Sequence, residues 1–288
     1  MRPLLTLTLT CLLASGPLYA DPARDLAAKD QALSWDGLVD RAKQARVVYV
    51  GEEHGDVSHH RLQRDLLEAM AQAGPVVLGC EYFPRSLQPV LDRFNAGEIS
   101  LADFPQAVSW QRTWGHAWEA YEPLFRLCRD KKIPVVALNA EKQTAKQVRK
   151  QGLGALPLRE LAALPPLDLA NPAHRERVLK QLQLVHPLPK KTLERYYQAF
   201  TLWDSVMADT VCDVFLRDRR PQLRMLVVAG RAHVEGSTGI PDRVTHRLPL
   251  ARLTVLCDSK GNASAKLADV VYSSRRVIRP RSKEQGWF

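Results

Sequence analysis

Glutamate, histidine and glycine recur where short apolar runs end. The run V-V-Y-V is followed by Gly51, Glu52, Glu53, His54 and Gly55. V-V-L-G-C is followed by Glu81, V-V-A-L by Asn139, and L-V-V-A by Gly230, Arg231, Ala232 and His233. Carboxylates and imidazoles exchange protons near neutral pH and also bind divalent metals. Glu52, His54, Glu81 and His233 are therefore a candidate acid–base set and equally a candidate divalent-metal set. Glu52 and His54, two apart, share a face if the strand continues. Glycines flank both histidines, where the backbone can turn tightly or approach a ligand closely. The other reading of the same residues is a rim of satisfied polar groups that merely closes a sheet.

Phenols are a second chemical resource. Tyr121 and the Tyr196–Tyr197 pair offer oxygens that, once ionised, are hard ligands able to hold ferric haem iron. Trp110, Trp114, Trp118, Tyr121 and Phe125 are spaced 4, 4, 3 and 4, one helical stripe interrupted at Gly115–His116. Such a stripe is either core or a wall for a flat aromatic ligand. His59 and His60 open the helix after the first strand, with Gln63 one turn beyond His59. His59 is expected to point back at the His54 loop, and His60 to be solvated. Asp204 lies on the apolar stripe of Leu193, Tyr197, Phe200, Met207, Val211 and Val214. A carboxylate there is costly unless paired, which marks a helix-edge group or a site residue.

The elements that must position these groups are legible. Apolar, β-branched runs at 46–52, 75–81, 133–139, 223–230 and 253–257 suit strands buried on both faces of a parallel sheet. Helical patterns lie between them, one at 58–72 with Ser58 as its cap. The alternation predicts an α/β fold: a mostly parallel central sheet flanked by helices, with a helical insertion. In such folds ligands bind outside the carboxyl ends of the strands, where the polar residues above fall. Residues 152–191 are proline-rich and predict that insertion, a lid or a partner surface. A long helix is expected from about Thr192 to Arg217.

Composition narrows the class. The 288 residues are 45% hydrophobic, 25% charged and 7% aromatic, which is globular. Residues 1–20 have a positive start at Arg2, an apolar stretch from Leu4 to Ala14 and a small-residue cleavage point near Ala20. This predicts a signal peptide and an exported protein of the periplasm or cell envelope, with 21–288 as one domain. Cys11 sits inside the apolar stretch, so a lipid anchor is not expected. No later run approaches the roughly 20 apolar residues of a membrane span. Lys and Arg number 41 against 31 Asp and Glu, a net charge of +10, densest in the tail at 273–288. An exported protein is not expected to bind nucleic acid. Cys80, Cys128, Cys212 and Cys257 are candidates for disulfides or for buried free thiols. With no C-x-x-C there is no zinc knuckle, and with no C-x-x-C-H no covalent haem.

Several blocks together carry a family resemblance. They are VYVGEEHGDVSHHRLQRDLL, VVLGCEYFPRSLQPVLDRF, WGHAWEAYEPLFRL with IPVVALNAE, LWDSVMADTV, and VVAGRAHVEGSTGIPDRV, in that order over about residues 46–250. The chain resembles the ChaN-like haem-binding uptake family, grouped with erythromycin esterase, TraB and Tiki proteins. The resemblance implies an α/β envelope protein of haem and iron uptake, binding b-type haem non-covalently. It implies two haems held face to face in a homodimer, with a haem receptor of the outer membrane or a haem carrier as partner. It implies a tyrosine on each iron, Tyr121 first, then Tyr197 and Tyr82, with His116 and Lys190 or Lys191 at the propionates. His59 and Asp204 are further cofactor-binding candidates. The superfamily's enzyme-like positions fall on Glu52, His54, Glu81 and His233. The expected function is therefore haem binding rather than catalysis, with a metal-assisted or Glu/His acid–base hydrolase as the alternative. The chain departs from the family at Phe200, where a Gln is common, and at Tyr82, which follows Glu81 where the family has Met.

Overall fold

The structure, a computed structural model, describes residues 33–185, 188–259 and 265–272. The expected signal peptide and the basic tail lie outside the described residues. The chain runs through α1 (Trp35–Gln44), β1 (Val47–Glu52), α2 (Val57–Gln72), β2 (Val76–Pro84), α3 (Gln88–Ala96), α4 (Phe104–Ala107), α5 (Trp110–Thr113), α6 (Trp118–Lys131) and β3 (Val135–Asn139). It continues through α7 (Lys142–Gln151), α8 (Leu158–Ala162), α9 (Pro172–Val185), α10 (Lys190–Arg217), β4 (Arg224–Gly230), α11 (Arg231–Val234), α12 (Ile240–Arg247), β5 (Arg252–Cys257) and β6 (Val270–Tyr272). Short 3-10 turns separate some of them. Among the described residues no helix is long and apolar enough to cross a membrane.

Among the described residues all five strand pairings are parallel, in the order β3-β2-β4-β1-β5-β6. The α/β reading with a parallel sheet is what the structure shows. The five apolar runs are β1 to β5, and β6 is an additional edge strand whose three residues give no pattern of their own. Alternation along each strand feeds two layers. Val48 and Val50 of β1, Leu78 and Cys80 of β2, and Leu226 and Val228 of β4 pack under α1 to α6. Val47, Tyr49, Val77, Met225 and Val227 pack under α10 and α12 on the other face. A third apolar cluster joins α7 and α10 to Leu156, Leu164 and Leu167 of the insertion.

Three local expectations are corrected. The cap of α2 is Asp56, whose side chain accepts the Ser58 N–H, because the helix starts one residue before Ser58. The tryptophan stripe is not one helix: α5 ends at Thr113, and Gly115 at φ +88° turns the chain before α6 begins at Trp118. The long helix starts at Lys190, with Pro189 at its cap. Cys80, Cys128, Cys212 and Cys257 are all free and buried, so none is paired in a disulfide.

Candidate functional site

The carboxyl ends of β2, β4 and β1, three adjacent strands, hold the polar residues. Period-two alternation decides which layer each faces. Glu52 continues the Val48–Val50 face and Tyr82 the Leu78–Cys80 face, so the two meet above α2 and α6. Glu81 points to the opposite layer, although it is adjacent to Tyr82 in sequence. The strand stops at Glu52, so His54 does not share its face by alternation. A turn through Gly55, at φ +81°, instead folds His54 back onto Glu52.

On the first side, Glu52 is almost wholly buried and fully partnered. His54 Nδ1–H donates to its Oε1 at 2.8 Å. Gln63 Nε2 and the Tyr82 hydroxyl donate to Oε2 at 2.5 and 3.1 Å, with His60 Nε2 3.5 Å away. Burial opposes ionisation of Glu52, but the hydrogen bonds and charges of His54 and His60 outweigh it and hold the carboxyl down at about 2. His54 answers in kind: burial disfavours its cation, yet Glu52 and Glu81 raise its pKa. His60 is buried, not solvated, and its Nδ1–H donates to the Ala120 carbonyl at 3.0 Å. His59 does point back, its Nδ1 accepting the Glu53 N–H at 3.0 Å.

On the second side, Glu81 Oε2 accepts the Gly230 N–H at 2.5 Å, and Glu81 Oε1 lies 3.5 Å from His233 Nε2. His233 Nδ1–H donates to Asp204 Oδ1 at 2.6 Å, and its ring stacks on Phe200. Asp204 Oδ2 accepts from His174 Nε2–H at 2.8 Å, with Arg243 Nη1 3.8 Å away. Burial disfavours the Asp204 anion, but the charge of His233 and the two imidazole hydrogen bonds reverse that and depress its pKa strongly. Burial lowers and Glu81 and Asp204 raise His233, with a net upward shift. The two sides join at Gly230, where a Cβ would stand 2.9 Å from His54 Nε2 and 3.5 Å from Glu81 Oε2. The Glu52–His54 pair and the Glu81–His233 pair therefore meet at Gly230, and Asp204 is tied to the second pair. Asn139 lies at the rim and donates to the Glu81 carbonyl.

The aromatic candidates surround the first side. Trp114 and His116 rings lie 4.7 and 5.7 Å from the half-buried His54 ring. Burial lowers the pKa of His116, and His54 adds to that. All three candidate phenols are buried and engaged: the Tyr121 oxygen accepts the Gly55 N–H at 3.1 Å, Tyr82 donates to Glu52, and Tyr197 donates to the Leu169 carbonyl at 3.2 Å. Tyr121 sits within the Glu52 cluster, its ring 4.0 Å from that of His60 and 5.0 Å from that of Tyr82. Tyr197 stands apart, beside His174 of the insertion. Burial is the main cause that raises the Tyr82, Tyr121 and Tyr197 pKa values. Lys190 and Lys191 lie at the exposed start of α10. Among the described residues no group of three or more His, Cys, Asp or Glu side chains is placed to hold a metal ion.

Sequence reasoning missed His174 and Arg243, and it undervalued Gln63 and His60. Asp204 on an apolar stripe signals that a partner exists. Nothing in the spacing says that the partner comes from α9, 30 residues earlier.

Residues 38–244 match a family model described as haem-binding uptake, Tiki superfamily, ChaN. A curated protein of Arabidopsis thaliana, RETICULATA-RELATED 5, chloroplastic, is 26% identical over 251 residues, which cover 80% of this chain and 33% of that protein. The chain thus spans about a third of the length of that relative. The solved structure of ChaN of Campylobacter jejuni, described as binding haem cofacially, superposes with a TM-score of 0.67 at 20% identity, over 83% of this chain and 92% of that one. At that identity the likeness establishes a shared fold.

Proposed function

The chain belongs to the ChaN family of haem-binding uptake proteins in the Tiki superfamily, and from that premise we propose that it binds ferric haem non-covalently between two copies of itself. We place it as an exported protein of the periplasm or envelope, serving haem or iron uptake and exchanging haem with an outer-membrane receptor or a carrier. The family match over residues 38–244 carries this reading.

The residues present suit the group. Haem needs an apolar wall, an axial donor and cations for two propionates. Trp114 and His116 border the half-buried His54, and Tyr121 lies behind them. Trp114 and the backbone N–H of Gly55 both face the Tyr121 oxygen, and both favour its ionised form. A phenolate donor favours ferric over ferrous iron. In this family reading Tyr121 is the first axial candidate, followed by Tyr197 and Tyr82, with His116 and Lys190 or Lys191 serving the propionates. The Gly55 N–H that the Tyr121 oxygen accepts would stay compatible with a phenolate ligand, but the side chain is wholly buried, so its use as a ligand would require the neighbouring chain to open a path to it.

Titration of the purified protein with hemin, followed by absorption and by mass in solution, tests the proposal. A saturable Soret band together with a doubling of mass is expected. An unchanged hemin spectrum at stoichiometric protein overturns it.

A second reading has its own observation. Glu52–His54 and Glu81–His233–Asp204 are preorganised, and His54 remains one-third exposed at the mouth. An acid–base hydrolase, with or without a divalent metal, would use His54 or His233 to activate water. A turnover of ester or peptide substrates that disappears in Glu52→Gln would promote this reading.

A further inference from the structure

The two halves of the proline-rich insertion are attached differently, the first mainly through apolar packing and the second mainly through polar contacts. Leu156, Leu164 and Leu167 of the first half join an apolar cluster with α7 and α10. Residues 168–184 join none of the three apolar clusters; Val178 is their one buried apolar core side chain, and the rest of the attachment is polar. Arg177 donates to the Ala232 carbonyl at 2.7 Å and to Thr238 Oγ1 at 2.8 Å, and Asn171 donates to Asp242 at 3.1 Å. At the centre is His174, with no solvent exposure. Its Nε2–H donates to Asp204, and its Nδ1 accepts from Arg243 Nη2 at 3.3 Å. One nitrogen must be a donor and the other an acceptor, so the contact needs the neutral imidazole.

We infer that residues 168–185 form a pH-gated strap, latched by neutral His174, over the His233–Asp204 side of the site. A second proton on His174 would place an N–H against the Arg243 guanidinium and remove the acceptor that guanidinium uses. The groups facing His174 are Asp204 and Tyr197 from α10, Arg243 from α12 and Arg177 from its own helix, with His233 of α11 beyond Asp204. Asp204 favours the cation, but its charge is already shared with His233 and Arg243. Burial first, and then Arg243 and Arg177, keep the His174 pKa below its ordinary value. A histidine with a depressed folded-state pKa binds more protons when released, so docking weakens as pH falls below about 6.5. Opening the strap would bare Asp204 and His233 to solvent. This goes beyond both functional readings and depends on neither.

Amide hydrogen exchange of the full chain, as protection factors at pH 7.5 and 5.5, tests it. Residues 172–185 should lose about tenfold in protection at the lower pH if the docked imidazole stays neutral, while β4 amides hold theirs. His174→Gln offers both an N–H donor and a carbonyl acceptor and does not titrate, so it should keep protection at both values. Flat protection across this range in the wild type overturns the latch, as does an equal loss in His174→Gln. The flat wild-type result overturns the latch even if the variant folds poorly.

Discussion

The backbone N–H of Gly230 donates to Glu81 Oε2 at 2.5 Å, tying the ends of β4 and β2 together at the centre of the site. The same glycine touches His54 from the other side. Its backbone angles, φ −54° and ψ 141°, are open to any residue, so only the space it leaves requires glycine. In Gly230→Ala the new methyl would meet His54 Nε2 at 2.9 Å and Cε1 at 3.0 Å. We expect a folded protein destabilised by about 1–3 kcal/mol, the usual cost of overpacking. We also expect His54, pushed off Glu52, to titrate closer to an ordinary histidine. Thermal melting and NMR titration of His54 check both, and an unmoved His54 titration contradicts the geometry.

Glu52 links site and stability through pH. Its carboxyl is held down at about 2 against the opposition of burial. The unfolded chain therefore binds this proton more readily than the folded one. The contribution is fully present above the ordinary glutamate value and is lost as pH falls toward 2. A shift of this size corresponds to about 3 kcal/mol at neutral pH. Glu52→Gln should lower neutral stability by an amount of that order, and the gap to the wild type should shrink as the pH drops below 4. Denaturant melts at pH 7 and pH 3 give the comparison. A gap that is constant with pH would show that Glu52 is not ionised by its neighbours.

The fold and the site were legible to different depths. Five buried strands announce themselves because both faces of a parallel sheet demand unbroken apolar runs, and Glu52, Glu81 and His233 follow from reading what comes next. β6 carries only Val270, Val271 and Tyr272, too short a run to distinguish from a loop. The turn that returns His54 to Glu52 depends on the left-handed Gly55, which sequence permits but does not require. His174 was invisible because its role comes from packing between α9 and α10, which no local period encodes. The tryptophan stripe misled for a related reason: its spacing is helical, but Gly115 lets the chain leave the helix.

The cysteines give a third expectation. Cys80, Cys128, Cys212 and Cys257 are buried and unpaired, and burial pushes each thiol pKa upward. Thiolates, not thiols, attack disulfide reagents. The folded protein should leave these four thiols unreacted with an aromatic disulfide reagent until denaturant is added, and a reductant should not shift Tm. Fast labelling of any of the four in native buffer would mean that its strand or helix opens readily.

The axial-ligand assignment can be settled by three single-atom deletions with separable effects. Tyr121→Phe removes the acceptor of the Gly55 N–H, Tyr82→Phe removes a donor to ionised Glu52, and Tyr197→Phe removes a bond to Leu169. Loss of the Glu52 contact, a bond to a charged group, should destabilise by about 1.5–3 kcal/mol, and loss of either of the others by about 1 kcal/mol. Stability alone therefore ranks Tyr82 first whatever its role. Haem spectra rank them differently: only the variant that loses the ligand should move the Soret band and weaken ferric haem. We expect Tyr121→Phe to do so, with Tyr82→Phe changing Tm and leaving the spectrum in place. If all three keep the wild-type haem spectrum, no phenolate of this set holds the iron, and the half-buried His54 and His116 at the mouth become the donors to test next.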